Sequence, residues 1–213
     1  QFARMGEPAL NDAVLDVLEE LPDRYDAPGL MPALSTIAPA GREGFFERLL
    51  DIAHSRYRGR FQLQFSLHTT DPDRRDWLMP VRKWDFEEIA RFSGRFRVPG
   101  GRKVTLNFAL AEGMPVDADT LRRHFDPATF FIKITPVNPT YAAARSGLRS
   151  SVGAGSDTER LLDTLRDCGY EVLLSIGARE ENAIGSNCGQ YIRAFLEAES
   201  GLESSYSRRL VSV

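Results

Sequence analysis

Hydrophobic and polar positions along the chain follow two alternating periods. Apolar residues recur at helical spacing from Leu10 to Leu21, and the segment 42–57 repeats that spacing. From Phe61 to His68 apolar and polar residues alternate instead, which is the pattern of a strand with one buried face. The same two patterns predict helices over 85–92, 117–125 and 156–169, and strands over 104–110, 130–137 and 170–176.

After the first two helices, the predicted strands and helices alternate along the chain. This order predicts an α/β fold in which right-handed crossovers join parallel strands. Ligands of such folds bind outside the carboxyl ends of the strands. Gln62, Gln64, Ser66 and His68 share one face of their strand. If the sheet curls, this face points inward, and Ser66 and His68 lie at the ligand-binding rim.

Composition is that of a globular domain, with 213 residues of which 42% are hydrophobic and 27% charged. The apolar runs are too short for a transmembrane span, and no signal peptide is recognisable, so no membrane partner is expected. The two cysteines, Cys168 and Cys188, cannot form a disulfide framework and suit a reducing cytoplasm. The cysteines and histidines lack metal-ligand spacing, so we expect no metal site within the chain.

Charge is unevenly distributed along the chain. The net charge is −3, yet the stretch from Arg42 to Lys103 holds 14 Arg and Lys against 9 Asp and Glu, a difference of +5. Such a stretch is able to follow a phosphate backbone, but it is more often a solvated protein face. Both interpretations remain open from the sequence.

Several short motifs follow one another from Met5 to about Tyr191. They are MGEP (5–8), LST (34–36), FSLHTTDPDRRDWLMPV (65–81), TLNFALAEGMPVD (105–117), TPVNP (135–139), LRDCGYEV (165–172) and NCGQ (187–190). These motifs, in this order, resemble those of the radical S-adenosylmethionine (SAM) proteins. Within that group they resemble the enzymes that methylate C2 or C8 of an adenosine in large-subunit ribosomal RNA.

The resemblance implies a partial, open (β/α) barrel of the radical SAM type that lacks its first strand or strands. Residues 1–191 are then the C-terminal portion of that domain, and residues 192–213 form a C-terminal tail. A barrel that lacks strands has an exposed sheet edge, and such edges pair with other chains. We therefore expect a homodimer formed through this edge.

The resemblance also implies a SAM site built from residues that follow successive strands. Its contacts are Gly6 and Glu7 at the methionine amino group, Ser35 at the carboxylate or ribose, Ser66, Leu67 and His68 along the pocket, and Asn138 at the adenosyl part.

Cys188 is the catalytic residue that the resemblance implies. It accepts a methyl group from one SAM, and a 5′-deoxyadenosyl radical from a second SAM removes hydrogen from that methyl group. The resulting carbon radical attacks the adenine ring. A mobile, accessible thiolate is needed for the first step, and Gly189 beside Cys188 suits such a loop.

One element of the family is missing from this sequence. The family holds a [4Fe–4S] cluster on a CxxxCxxC loop before the MGEP motif, and no such loop occurs here. We therefore expect the cluster only in a longer parent chain, with this portion inactive by itself. The segment NAIGSN (182–187) and Ile37–Ala38 also depart from the family pattern. The resemblance predicts methylation of an RNA adenine, in rRNA or tRNA, by the parent chain. Radical SAM chemistry on a non-RNA substrate and a cluster-free remnant that binds SAM or RNA are the alternatives.

Overall fold

A single parallel sheet organises the chain. The computed structural model describes residues 1–3, 6–137, 147, 149–150 and 156–176. Its five strands are hydrogen-bonded in chain order. All four pairings are parallel. The strands are β1 (Ala33–Thr36), β2 (Gln62–Ser66), β3 (Val104–Leu110), β4 (Phe130–Pro136) and β5 (Glu171–Leu174). The sheet does not close, so the fold is the partial, open (β/α) barrel that the resemblance implied.

Helices connect the strands, because parallel neighbours require a crossover. They are α1 (Ala13–Arg24), α2 (Glu43–Ile52), α3 (Pro72–Leu78), α4 (Phe86–Phe96), α5 (Ala118–His124) and α6 (Ser156–Asp167). A 3₁₀ turn, Pro8–Leu10, precedes α1. A π-helical segment, Ala53–Tyr57, continues α2 and ends at Arg58, whose backbone is left-handed (φ 49°).

The two faces of the sheet differ in polarity. Alternate residues of β2, β3 and β4 are apolar and buried in the core together with the helices, and they include Leu63, Phe65, Phe108 and Ile132. Aromatic rings of α2, α4 and the loop between α3 and α4 extend this core: the Phe46 and Trp84 centroids lie 4.2 Å apart. The residues between the buried ones are mostly polar. We call this second side of the strands the polar face, and it comprises Ser35, Gln62, Gln64, Ser66, Thr105, Asn107, Lys133 and Thr135.

The structure contains two elements that the sequence periods did not predict. The predicted order had no strand between its first two helices, but β1 lies there; only the LST resemblance pointed to it. The predicted order also had no helix between residues 68 and 85, where α3 lies. Both elements are too short to show a period. β1 has four residues, and α3 has seven that are mostly polar. The start of α3 depends on Pro72 and on the N-cap residue Asp71, whose side chain accepts from the Arg74 N–H at 3.0 Å.

The outer edge of β1 is paired with the first residues of the chain. The Phe2 N–H donates to the Ala33 carbonyl at 2.7 Å, and the Ser35 N–H donates to the Phe2 carbonyl at 3.0 Å. The predicted homodimer through this edge stays a prediction. None of the helices in the described ranges is both long and apolar enough to cross a membrane. The predicted boundary at residue 191 and the tail 192–213 lie outside the described residues.

Candidate functional site

The carboxyl ends of β1, β2 and β3 bring most of the predicted site residues together. Ser35 of β1 and Ser66 of β2 have their hydroxyl oxygens 3.5 Å apart, and the Gln64 amide donates to the Ser35 hydroxyl at 3.0 Å. The loops that follow these strands carry Leu67 and His68. Polar side chains from neighbouring strands therefore form one continuous wall.

Gly6 and Glu7 lie against the carboxyl end of β1. One carboxylate oxygen of Glu7 accepts from the Thr36 hydroxyl and from the Ala9 N–H at 3.0 Å, and the other accepts from the Ile37 N–H at 2.9 Å. Gly6 has a φ of +118°, a conformation that favours glycine. An ionised carboxylate has about four acceptor positions. Three internal donors therefore fix Glu7 in place and leave room for one ligand donor.

The chain leaves β2 through a turn fixed by β3. The N–H groups of Leu67 and His68 donate to the Asn107 carbonyl at 3.0 and 3.2 Å. Leu67 is fully buried, and its side chain packs in the core. His68 has a left-handed backbone (φ 66°), which is uncommon outside glycine.

The hydrogen bonding of the His68 ring defines its tautomer. The ring Nδ1 lies 3.1 Å from the Ala109 N–H. Because a backbone N–H only donates, Nδ1 has to be unprotonated, and the neutral ring carries its proton on Nε2. Burial, and secondarily the nearby Arg75 guanidinium, lower the pKa of His68 to about 4. At neutral pH His68 therefore offers an Nε2–H donor.

The polar face also contains residues that were not among the predicted site residues, and two of them, Asn107 and Lys133, continue across the sheet from Ser66. Asn107 of β3 pairs in register with Ser66 on one side and with Lys133 of β4 on the other. The period-2 pattern of β3 and β4 places both residues on the face opposite the core. The pattern could therefore have identified them, but only the register shows that Asn107 adjoins Ser66 and that Lys133 lies beyond Asn107. The predicted residues Asn138 and Cys188 lie outside the described residues.

The described residues offer polar groups and lack a metal-binding group. Within the described ranges no group of three or more His, Cys, Asp and Glu is able to hold a metal ion. An iron–sulfur cluster bound by three thiolates therefore does not fit this part of the chain. A fixed carboxylate, two hydroxyls and the His68 donor are able to bind a small polar ligand that carries an ammonium group and hydrogen-bond acceptors.

Comparison with solved structures places the fold among the radical SAM proteins. A radical SAM methyltransferase from Sphaerobacter thermophilus matches 74% of this chain and 43% of its own, with a TM-score of 0.55 and 28% identity. A domain of pyruvate-formate lyase-activating enzyme from Bacteroides vulgatus matches 83% of this chain and 97% of its own, with a TM-score of 0.55. At 17% identity the second match concerns the fold alone.

Sequence comparison indicates which kind of radical SAM enzyme the chain is similar to. A protein of Moorella thermoacetica named probable dual-specificity RNA methyltransferase RlmN is 29% identical over 194 residues, 89% of this chain and 51% of the relative. The dual-specificity RNA methyltransferase RlmN of Anaeromyxobacter dehalogenans is 26% identical over 204 residues, 94% of this chain and 50% of the relative. No protein-family model matches. The chain is thus a homologue of the RlmN methyltransferases and spans about half of their length, which confirms the family resemblance.

Proposed function

We propose that this chain is the C-terminal portion of a radical SAM methyltransferase that modifies an adenine of RNA. One observation carries the proposal. Glu7, Ser35, Ser66 and His68 converge at the carboxyl ends of an open (β/α) sheet, and the homologues of the chain are named RNA methyltransferases. The polar wall of these strands is then the SAM-binding wall of the parent enzyme.

Each described site residue has a task that follows from its geometry. The Glu7 carboxylate, held by three internal donors, faces the SAM ammonium beside Gly6, where the missing side chain permits close approach. The hydroxyls of Ser35 and Ser66 contact the polar groups along the cofactor. The Nε2–H of His68 donates to an acceptor on it, and this donor keeps its proton across the physiological pH range.

In this proposal Cys188 is the residue that accepts the methyl group. When bound, SAM supplies the methyl group and, with a reduced cluster, the radical. The Cys188 thiolate would be the nucleophile that takes this methyl group. The CxxxCxxC ligands of the cluster belong to the parent chain, since the printed sequence has only Cys168 and Cys188.

The substrate class in this proposal is rRNA or tRNA in the cytoplasm. The homologues are named for RNA, and the basic stretch from Arg42 to Lys103 adds cations that suit a phosphate backbone.

The test uses the parent protein. We would read the coding sequence upstream of Gln1, express the longer chain, reconstitute it anaerobically with iron and sulfide, and assay SAM cleavage to 5′-deoxyadenosine and methylation of ribosomal RNA and tRNA. The proposal predicts both products, with Cys188→Ala losing RNA methylation and Cys168→Ala retaining it. A parent gene without CxxxCxxC, or a reconstituted enzyme that never cleaves SAM, would overturn the proposal.

A further inference from the structure

The polar face contains a cation, Lys133, that is not ion-paired with any carboxylate of the described residues. Lys133 lies in the middle of β4, between Ile132 and Ile134, which are fully buried on the core side. Its own side chain is half-buried on the opposite face. The other two lysines of the chain are ion-paired: Lys83 Nζ lies 2.6 Å from Asp76 and Lys103 Nζ lies 2.7 Å from Glu171. Lys133 has no such partner in the described part of the chain.

Asn107 lies beside Lys133 and has an unused polar atom. The two residues are register partners on β3 and β4. Asn107 is only 9% exposed, and its side-chain oxygen has no hydrogen-bond partner among the described residues. A buried amide oxygen left without a donor is unfavourable. An anion cannot supply that donor, but a half-turn of the amide brings its NH₂ group into the same position, where an anionic oxygen is able to accept.

Ser66 on β2 lies on the other side of Asn107 from Lys133, because Ser66 pairs in register with Asn107. A hydroxyl, an amide and an ammonium thus follow one another across three adjacent strands. Neighbouring strands lie about 4.8 Å apart, so Ser66 and Lys133 are separated by roughly 10 Å. That span matches a polar ligand lying across the strands.

We propose that Lys133 and Asn107 form a subsite for an anionic oxygen group, a carboxylate or a phosphate. The ammonium supplies the opposite charge in a partly desolvated place, where a charge-assisted hydrogen bond is strong. The Asn107 amide turns about its last side-chain bond to direct its NH₂ group toward the anion. This inference rests on the proposed function, because SAM carries a carboxylate and RNA carries phosphates.

The experiment pairs charged and uncharged ligands. Binding of SAM, decarboxylated SAM, AMP and adenosine to the chain is measured by NMR titration for wild type, Lys133→Gln and Lys133→Arg. Lys103→Gln is the matched control, since it removes a lysine that already has a carboxylate partner. Asn107→Asp is a second variant, because it sets a permanent counter-charge beside an intact Lys133.

The expected result is a selective loss. Lys133→Gln and Asn107→Asp weaken one anionic ligand by about ten-fold or more, while Lys133→Arg and Lys103→Gln bind it nearly as wild type does. A loss for SAM but not for decarboxylated SAM identifies the carboxylate as the partner. A loss for AMP but not for adenosine identifies the phosphate. Either outcome supports the subsite.

Two outcomes overturn the inference. Lys133→Gln that binds every ligand as wild type does, or loses charged and uncharged ligands equally, removes the subsite and leaves the proposed function in place. A wild-type chain that binds none of the four ligands overturns the proposed function together with the subsite.

Discussion

At the scale of single residues, His68 joins local backbone geometry to site chemistry. A non-glycine residue in the left-handed region costs free energy, so the surrounding bonds must hold it there. The Asn107 carbonyl accepts a hydrogen bond from the His68 N–H, and the Ala109 N–H donates to Nδ1 of the His68 ring. The bond from Ala109 also fixes the tautomer of the ring. The strained backbone and the Nε2–H donor are therefore two consequences of one arrangement.

The depressed pKa of His68 predicts a pH dependence of stability. The folded-state pKa is about 4, below the ordinary value of 6.5, so the unfolded chain binds more protons between these values. The free energy of unfolding should therefore fall as the pH drops from about 6.5 toward 4. Urea denaturation at several pH values should show a shallower fall in His68→Gln than in wild type. Equal pH slopes in the two proteins would contradict the assigned environment of His68.

The Glu7 carboxylate should stabilise the fold as well as bind a ligand. Glu7→Ala removes the acceptor of the Ala9 and Ile37 N–H groups, so we expect the free energy of unfolding to fall by about 1–3 kcal/mol. The control is Glu20→Ala, because Glu20 pairs only with Arg24 on the surface, and surface pairs contribute at most about 1 kcal/mol. Urea denaturation of both variants makes the comparison. Equal losses would show that the Glu7 bonds do not hold β1.

At the scale of elements, what the sequence predicts depends on length and on register. β3 (Val104–Leu110) and β4 (Phe130–Pro136) have seven residues each, which is long enough for the alternating pattern to predict them. β1 and α3 are too short to show a periodic pattern, so local caps and pairing with neighbouring strands determine whether they form. The register that sets Lys133 beside Asn107 depends on how strands pair, which no single segment specifies. The site residues came from the family resemblance, whereas the internal partners of Glu7 needed the structure.

Helix α4 illustrates an element whose start depends on one side chain. Asp85 accepts from the Glu88 N–H at 2.8 Å, and the Glu88 carboxylate accepts from the Asp85 N–H at 2.9 Å, which is a capping box. Asp85→Ala should lower the free energy of unfolding by about 1 kcal/mol, since helix N-caps typically contribute that much. Asp85→Asn keeps a side-chain acceptor and should cost much less. Thermal and urea denaturation test both, and an equal loss in the two variants would argue against the cap.

At the scale of the whole molecule, an open barrel has edges that a closed barrel does not. Phe2 pairs with β1 by two backbone hydrogen bonds, so only a short part of this strand edge is paired. We predict that the chain associates through this edge at high concentration. Sedimentation velocity over a concentration series should reveal species heavier than the 23.8 kDa monomer. A monomer throughout the series would contradict this prediction.

The central claim is that the carboxyl ends of the strands form a SAM-binding wall. The most direct measurement is NMR chemical-shift mapping of the ¹⁵N-labelled chain titrated with SAM, which also detects weak binding. The account predicts shifts of the Gly6, Ser66, His68 and Ala109 amides, while Gly59 and Gly101, at the amino ends of the strands, stay unchanged. Shifts confined to the amino ends, or no shifts at millimolar SAM, would contradict it.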